Sequence, residues 1–204
     1  MKPNCTLARE NLVRYAKTGI ISTDRKTNEE YRRDFDVVII GTGFNVSKFL
    51  DHEQVTGRHG IDLQEQWKEY PSSIYGVATS NFPNFFYCNG PNANTFSSTI
   101  HDINELASEF ISRCAKEIFR RERRGVKLAM MPEPNFEQVY NKEIQYKLRN
   151  VVMQNPKCGN STVKDEHNHN TVLHHRHILL LRWRLRTINW KEWITLEAPL
   201  TLRE

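Results

Sequence analysis

The chain has 204 residues, 38% of them hydrophobic, which is enough for the core of one ordinary domain or two small ones. Its formal charge of +5 would admit nucleic acid as a partner, but the cations are dispersed. The densest cluster, Arg120 to Arg124, has no interleaved aromatic platform and reads as a solvated helix end, so no nucleic-acid partner is expected.

No apolar run approaches the ~18 residues of a membrane span, and Met1 to Glu10 is too polar for a secretion signal, so a cytoplasmic location is expected. The four cysteines form no CxxC pair, which argues against a zinc ribbon or a disulfide framework.

The first elements read as short strands joined by tight turns, "CTLAREN", "LVRYAK" and "GIISTD", a small β-meander. It feeds Val37 to Ile40, four β-branched residues without alternation. That pattern predicts a strand buried on both faces, as in a parallel sheet covered by helices. The strand ends at Gly41-Thr42-Gly43, which raises the question of a dinucleotide fingerprint. A GxGxxG loop needs a third glycine so that the helix can pack against the strand, and Val46 stands there instead. Asp62, at the distance of a ribose ligand, therefore has no motif to complete.

Further on, the aromatic and β-branched runs Ser73 to Thr79 and Phe85 to Cys88 predict two strands. The loop Asn89 to Ser98 follows, with Thr95, Ser97 or Ser98 as the cap of a helix. That helix is marked by Ile100, Ile103, Leu106, Ala107, Phe110, Ile111, Cys114, Ala115, Ile118 and Phe119 at three-and-four spacing. A strand, a small-residue loop and a helix N-terminus can form an anion site, or can be an ordinary connection; the pattern permits both.

Beyond Gly125, "AMMPEPN" reads as a linker interrupted by prolines. A second helix follows, with Phe136, Val139, Tyr140, Ile144, Leu148 and Val151 or Val152 inward. "KCGNSTVKDEHNHN" reads as a polar loop, "TVLHH" as a short strand, and "RHILLLRWRLRTINWKEW" as a helical segment with Trp183, Trp190 and Trp193 as packing residues. His167 and His169 could share a strand face, but no H-E-x-x-H pattern accompanies them and no functional metal is expected. Neither Cys88 nor Cys158 has a neighbouring motif that marks a nucleophile.

Three ordered segments carry a resemblance. "DVVIIGTGF" is similar to a D-x-x-x-x-A-T-G-F segment, "GIDLQEQWKEYPSSIYG" to a G…L…W…P…Y-x-G block, and "NFPNFFYCNGPN" to F-P-N-x-F…G-P-N. Together they resemble the FAD-dependent Baeyer–Villiger and related flavin-containing monooxygenases, of fungal type. The resemblance implies an α/β fold: an incomplete FAD/NAD(P)-binding, Rossmann-like flavoprotein fold with a small β-meander and C-terminal helices. Residues 1–34 would end an NADPH-type domain, 35–125 would form the C-terminal part of the FAD-binding domain, and 126–204 would be a helical and irregular extension.

By the same resemblance the cofactors would be FAD and NADPH. Thr42, Gly43 and Phe44 would lie at a turn of the FAD domain, Gly90, Pro91 and Asn92 in the loop approaching the flavin, and Thr95 to Ser98, with Ser97 among them, near the active-site wall. Lys2, in "MKPN", stands where Baeyer–Villiger members place a catalytic arginine. A lysine keeps the charge but loses the planar fork.

The family's two GxGxxG loops and its F-x-G-x-x-x-H signature do not occur in these 204 residues; in the resemblance they would precede Met1. The chain thus looks like a C-terminal portion, expected to bind flavin weakly or not at all and to be inactive unless a second chain supplies the nucleotide-binding half. The reaction would insert one oxygen atom from O2 into a ketone or heteroatom of a small-molecule substrate. The alternative is a non-catalytic relic or protein-interaction module.

Overall fold

The computed structural model describes residues 4–43, 48–155, 158, 165 and 167–199. The chain divides into two units, Met1–Phe44 and Asn45–Glu204.

The first unit is an antiparallel meander of β1 (Glu10–Ala16), β2 (Gly19–Asp24) and β3 (Glu30–Asp34), in the order β1-β2-β3. The "GIISTD" strand is where the sequence predicts it, and it alone of the three has a buried side, with Ile21 and Ser22 inward. "CTLAREN" forms no strand before Glu10, and β3, "EYRRD", was not legible. Strand β3 has no apolar pattern. It is held instead by the ladder and by Glu10, whose carboxylate accepts from Ser22 Oγ at 2.5 Å and from Arg33 Nη2 at 2.5 Å. The turn into β3 is set by Asp24, whose Oδ1 accepts from the amides of Lys26 (2.7 Å) and Thr27 (2.9 Å).

The predicted buried strand Val37 to Ile40 is not formed. These residues are irregular and exposed, Ile39 to 91%. A strand buried on both faces needs a neighbour along its edges and cover above and below. Among the described residues nothing pairs with this run, and the meander closes its own ladder at Asp34.

In the second unit the core gathers around α2 (Ile100–Glu122), which buries Ile103, Leu106, Ala107, Phe110 and Cys114 as the periodicity predicts, whereas Ile100 and Phe119, near its two ends, are exposed. The cap is Thr99 rather than Thr95, Ser97 or Ser98. Asp102 Oδ2 accepts from Thr99 N at 2.9 Å while Asp102 N donates to Thr99 Oγ1 at 3.3 Å, a reciprocal pair that fixes the helix start one residue later. Helix α3 follows a short helical turn, α1 (Leu63–Gln66), and the long α2 in chain order; it spans Pro134–Leu148 and buries Tyr140, Ile144 and Leu148, while Val139 faces solvent.

The supposed linker is a strand. β5 (Val126–Pro132) pairs antiparallel with β7 (Trp193–Pro199), from Val126↔Pro199 to Pro132↔Trp193. The two prolines punctuate rather than interrupt, Pro132 ending the strand and Pro134 occupying the first turn of α3. β4 (Asn94–Thr95) and β6 (Leu173–His174) form a short parallel pair, the latter inside the predicted "TVLHH" strand. The last helix, α4 (Ile178–Arg184), falls within the predicted helical segment. Of its tryptophans only Trp193 packs in the core; Trp183 and Trp190 are exposed.

Ser73 to Thr79 and Phe85 to Cys88 are not strands either. The chain reverses at Tyr75 (φ +56°) and Gly76 (φ +70°), leaving one isolated bridge between Ile74 and Ala78. Ser73 Oγ accepts from Gly76 N at 3.1 Å and donates to Pro91 O at 2.7 Å, so a local hydroxyl competes with any ladder. A Cβ on Gly76 would lie 2.4 Å from Ala93 Cβ. Gly76→Ala is therefore expected to cost about 2–4 kcal/mol, through the left-handed backbone and the clash together, seen as a lower urea midpoint. A loss under about 0.5 kcal/mol would contradict the close approach.

Candidate functional site

The residues that the resemblance assigns to the cofactor side fall in both units. Thr42 and Gly43 are exposed in the first. Gly43 has the left-handed φ of +79° that the glycine turn anticipates, and no atom lies within 4 Å of a Cβ added at Gly41 or Gly43. Phe44 and Lys2 lie outside the described residues.

In the second unit, Gly90 to Ser98 forms a loop seated on residues 170–178. Four of its amides are already used. Gly90 N donates to Gly76 O (2.9 Å), Asn92 N to Thr171 O (2.8 Å), Ala93 N to Gly90 O (3.2 Å) and Asn94 N to Val172 O (3.1 Å). Pro91 has no amide to offer. Gly90 lies against the Tyr87 ring, which a Cβ would approach to 2.1 Å; this glycine serves internal packing and leaves no open cradle there.

Asn92 is the hub. It is 1% exposed, adopts φ +54°, and its Nδ2 donates to Asn170 O (2.7 Å) and Leu173 O (2.8 Å). These bonds clamp the chain just before β6 beneath the loop. Its Oδ1 is buried without a partner. Beside it, Thr95 Oγ1 lies 2.7 Å from Ser98 Oγ, and Ser97 Oγ accepts from Ile178 N at 2.9 Å, at the start of α4. The hydroxyls that sequence reading gave to the α2 cap thus tie the loop together and support a different helix.

The amides of Gly90, Asn92, Ala93 and Asn94 are satisfied within the protein, and the N-terminus of α2 carries its own anion, the Asp102 carboxylate, held below the usual range by Thr99, an arrangement that favours the ordinary connection over an anion site. As a pyrophosphate grip these residues do not fit.

Two buried polar groups nearby were not anticipated. His174, fully buried, accepts from Arg176 N at Nδ1 (3.0 Å). The proton therefore sits on Nε2, directed at the Tyr140 hydroxyl 2.9 Å away. Burial, reinforced by the nearby charges of His175 and Arg176, pushes its pKa down to about 3. Glu137, 4% exposed, accepts from Ser72 Oγ (3.0 Å), Thr79 Oγ1 (2.8 Å) and Ser80 N (2.6 Å). The only sequence signal for either was position: His174 ends an apolar strand, and Glu137 follows Phe136 on the inward face of α3.

His169 Nδ1 lies 3.2 Å from Asp165 Oδ2 and its ring packs on Tyr70 at 4.6 Å. Among the described residues no cluster of three metal-binding side chains is assembled. Cys88 is exposed, with Sγ 3.6 Å from Ser108 Oγ.

No family model matches the chain. Among curated proteins it is similar to the FAD-binding monooxygenase ktnD of Aspergillus niger, 27% identical over 147 residues, covering 72% of this chain and 24% of that protein. A Baeyer-Villiger monooxygenase of Pseudomonas aeruginosa is 28% identical over 145 residues, covering 71% and 26% respectively. In fold it resembles a closed cyclohexanone monooxygenase with a TM-score of 0.73 and 21% identity, covering 93% of this chain and 34% of that one. A steroid monooxygenase bound to NADP gives 0.69, also at 21% identity and with the same coverage. In sequence the chain is thus similar to FAD-binding and Baeyer–Villiger monooxygenases and in fold to cyclohexanone and steroid monooxygenases, matching about a quarter of the length of these curated relatives and about a third of the solved chains.

Proposed function

We propose that these 204 residues correspond to the C-terminal portion of an FAD- and NADPH-dependent monooxygenase of the Baeyer–Villiger type. The enzyme would insert one oxygen atom from O2 into a ketone or heteroatom of a small-molecule substrate. The observation that carries this reading is the similarity to an FAD-binding monooxygenase along 72% of the chain. In that assignment 1–34 end an NADPH-type domain, 35–125 belong to the FAD domain and 126–204 extend it.

The flavin supplies the oxygen chemistry when bound; this chain supplies a wall. Gly90, Pro91, Asn92, Thr95, Ser97 and Ser98 hold the flavin-side loop in shape, with Thr42, Gly43 and Phe44 at a second turn and Lys2 in the place of the family arginine. Because the amides of Gly90, Asn92, Ala93 and Asn94 are spent internally and no GxGxxG occurs in these 204 residues, activity requires a nucleotide-binding half that these residues do not contain. A cytoplasmic location accompanies this reading; no helix among the described residues is long and apolar enough to cross a membrane. The exposed run Val37 to Ile40 favours a second reading, a non-catalytic module that binds a protein partner.

The test is the visible absorbance after incubation with FAD and gel filtration. The chain alone is expected to emerge colourless, and to retain flavin when co-expressed with the nucleotide-binding portion of the Aspergillus niger relative. A flavin spectrum on the chain alone would overturn the account of the loop. A colourless mixture would favour the interaction module.

A further inference from the structure

Helix α4 carries apolar residues on two opposite sides, with Arg182 and Arg184 between them, although only one side is covered. Ile178, Leu181 and Leu185 face the core. At about 100° per residue, Leu179, Trp183 and Leu180 fill an arc centred on the opposite side. They stand out into solvent, 66%, 68% and 57% exposed. A helix with this pattern is one that something covers.

The surroundings of these three side chains indicate what covers them. From His174 to Lys191 the chain has four arginines and a lysine and no acidic residue. Arg176 and Arg184 are turned aside, paired with Glu143 and the buried Glu192. Arg182 flanks the apolar tips and pairs across to Glu105 on α2 at 3.5 Å, while Arg186 and Lys191 are exposed. Trp190 adds a second exposed indole.

We infer that this face docks on an anionic lipid surface, with Leu179, Leu180 and Trp183 entering the headgroup boundary and Arg186 and Lys191 meeting the phosphates. A protruding ridge of leucine and tryptophan bordered by arginine is the form that an interfacial helix takes. The centres of protein interfaces, in contrast, are depleted of charge and built by complementary packing. The apolar tips give the depth and the cations the preference for negative lipid, so neither alone suffices for stable attachment. This inference stands apart from the flavoprotein reading, since no residue of the cofactor-side loop takes part.

The experiment is sedimentation of the full chain with vesicles of phosphatidylcholine alone or with about 30% phosphatidylserine. The comparison variant is Leu180→Gln with Trp183→Ala, both positions being exposed, and its folding is checked by circular dichroism. The wild type is expected to sediment with the anionic vesicles on the order of tenfold more than with neutral ones, and to be released as salt rises to about 0.5 M. The variant should lose that preference. Equal binding by a folded variant, or no binding by the wild type, overturns the inference. A wild type that elutes as a dimer, binds no vesicle, and becomes monomeric in the variant overturns it as well, and assigns the face to a second copy of the chain.

Discussion

Glu137→Ala is expected to lower the stability of the second unit by about 3–5 kcal/mol, a large share of the 5–15 kcal/mol typical of a folded domain. The residue is 4% exposed, and its carboxylate gathers three donors from the turn between Ser72 and Ser80. Its removal leaves two hydroxyls and the Ser80 amide without their acceptor, and each unsatisfied group costs roughly 1–3 kcal/mol. The same turn carries Ser73 and Gly76, against which the Gly90–Ala93 loop is folded, so the damage should spread to the cofactor-side loop.

Glu137→Gln keeps the volume and one acceptor oxygen, and should fall between the two. Urea titrations followed by circular dichroism measure all three proteins. If Glu137→Ala stays within about 1 kcal/mol of the parent, the carboxylate is not organising the turn.

The second large effect is one of pH. In the folded chain His174 stays neutral down to about 3, whereas an unfolded histidine takes up its proton near 6.5. As pH falls below 6.5 the unfolded state binds a proton that the folded state refuses. Stability is therefore full above 6.5 and declines towards 3, with a limiting slope of about 1.4 kcal/mol per pH unit. Between pH 6.5 and 5 the expected loss from this residue is about 2 kcal/mol.

His175, lowered mainly by burial, adds in the same direction. Glu117, whose pKa the two adjacent arginines hold down to about 2, contributes stability that is lost only as pH falls below the ordinary carboxylate range. The share of His174 is isolated by His174→Phe. That variant should be less stable at pH 7.5, because Tyr140 and the Arg176 amide lose their partner, but its urea midpoint should fall less between pH 7.5 and 5. Parallel acid limbs for the two proteins would refute the assignment to His174.

The chemistry that was legible in the sequence was local. The three-and-four spacing of α2 and α3 is written in consecutive residues, since a helix closes its hydrogen bonds within one turn of itself. The strand "GIISTD" and the end of "TVLHH" were read from their branched residues. The ordered GTGF, SSIYG and GPN segments carried the resemblance to flavin monooxygenases. Even so, the α2 cap was misplaced by a single residue, because four hydroxyl residues within five positions, Thr95, Ser97, Ser98 and Thr99, compete for it, and only the reciprocal bond with Asp102 selects Thr99.

Read alone, then, the residues told where apolar sides lie and which family the motifs resemble. What each side meets was settled by contacts distant in the chain. Val37 to Ile40 has the composition of a central strand, but burial requires neighbours that composition cannot provide. The proline-bearing segment became strand β5 because its partner, β7, lies some sixty residues onward, a pairing that no local pattern records. The loop Asn89 to Ser98 looked open to an anion until the carbonyls of Gly76, Thr171 and Val172 were found occupying the amides of Gly90, Asn92 and Asn94. A residue's type fixes what bonds it can make, and its neighbours in space fix which of them remain to be made.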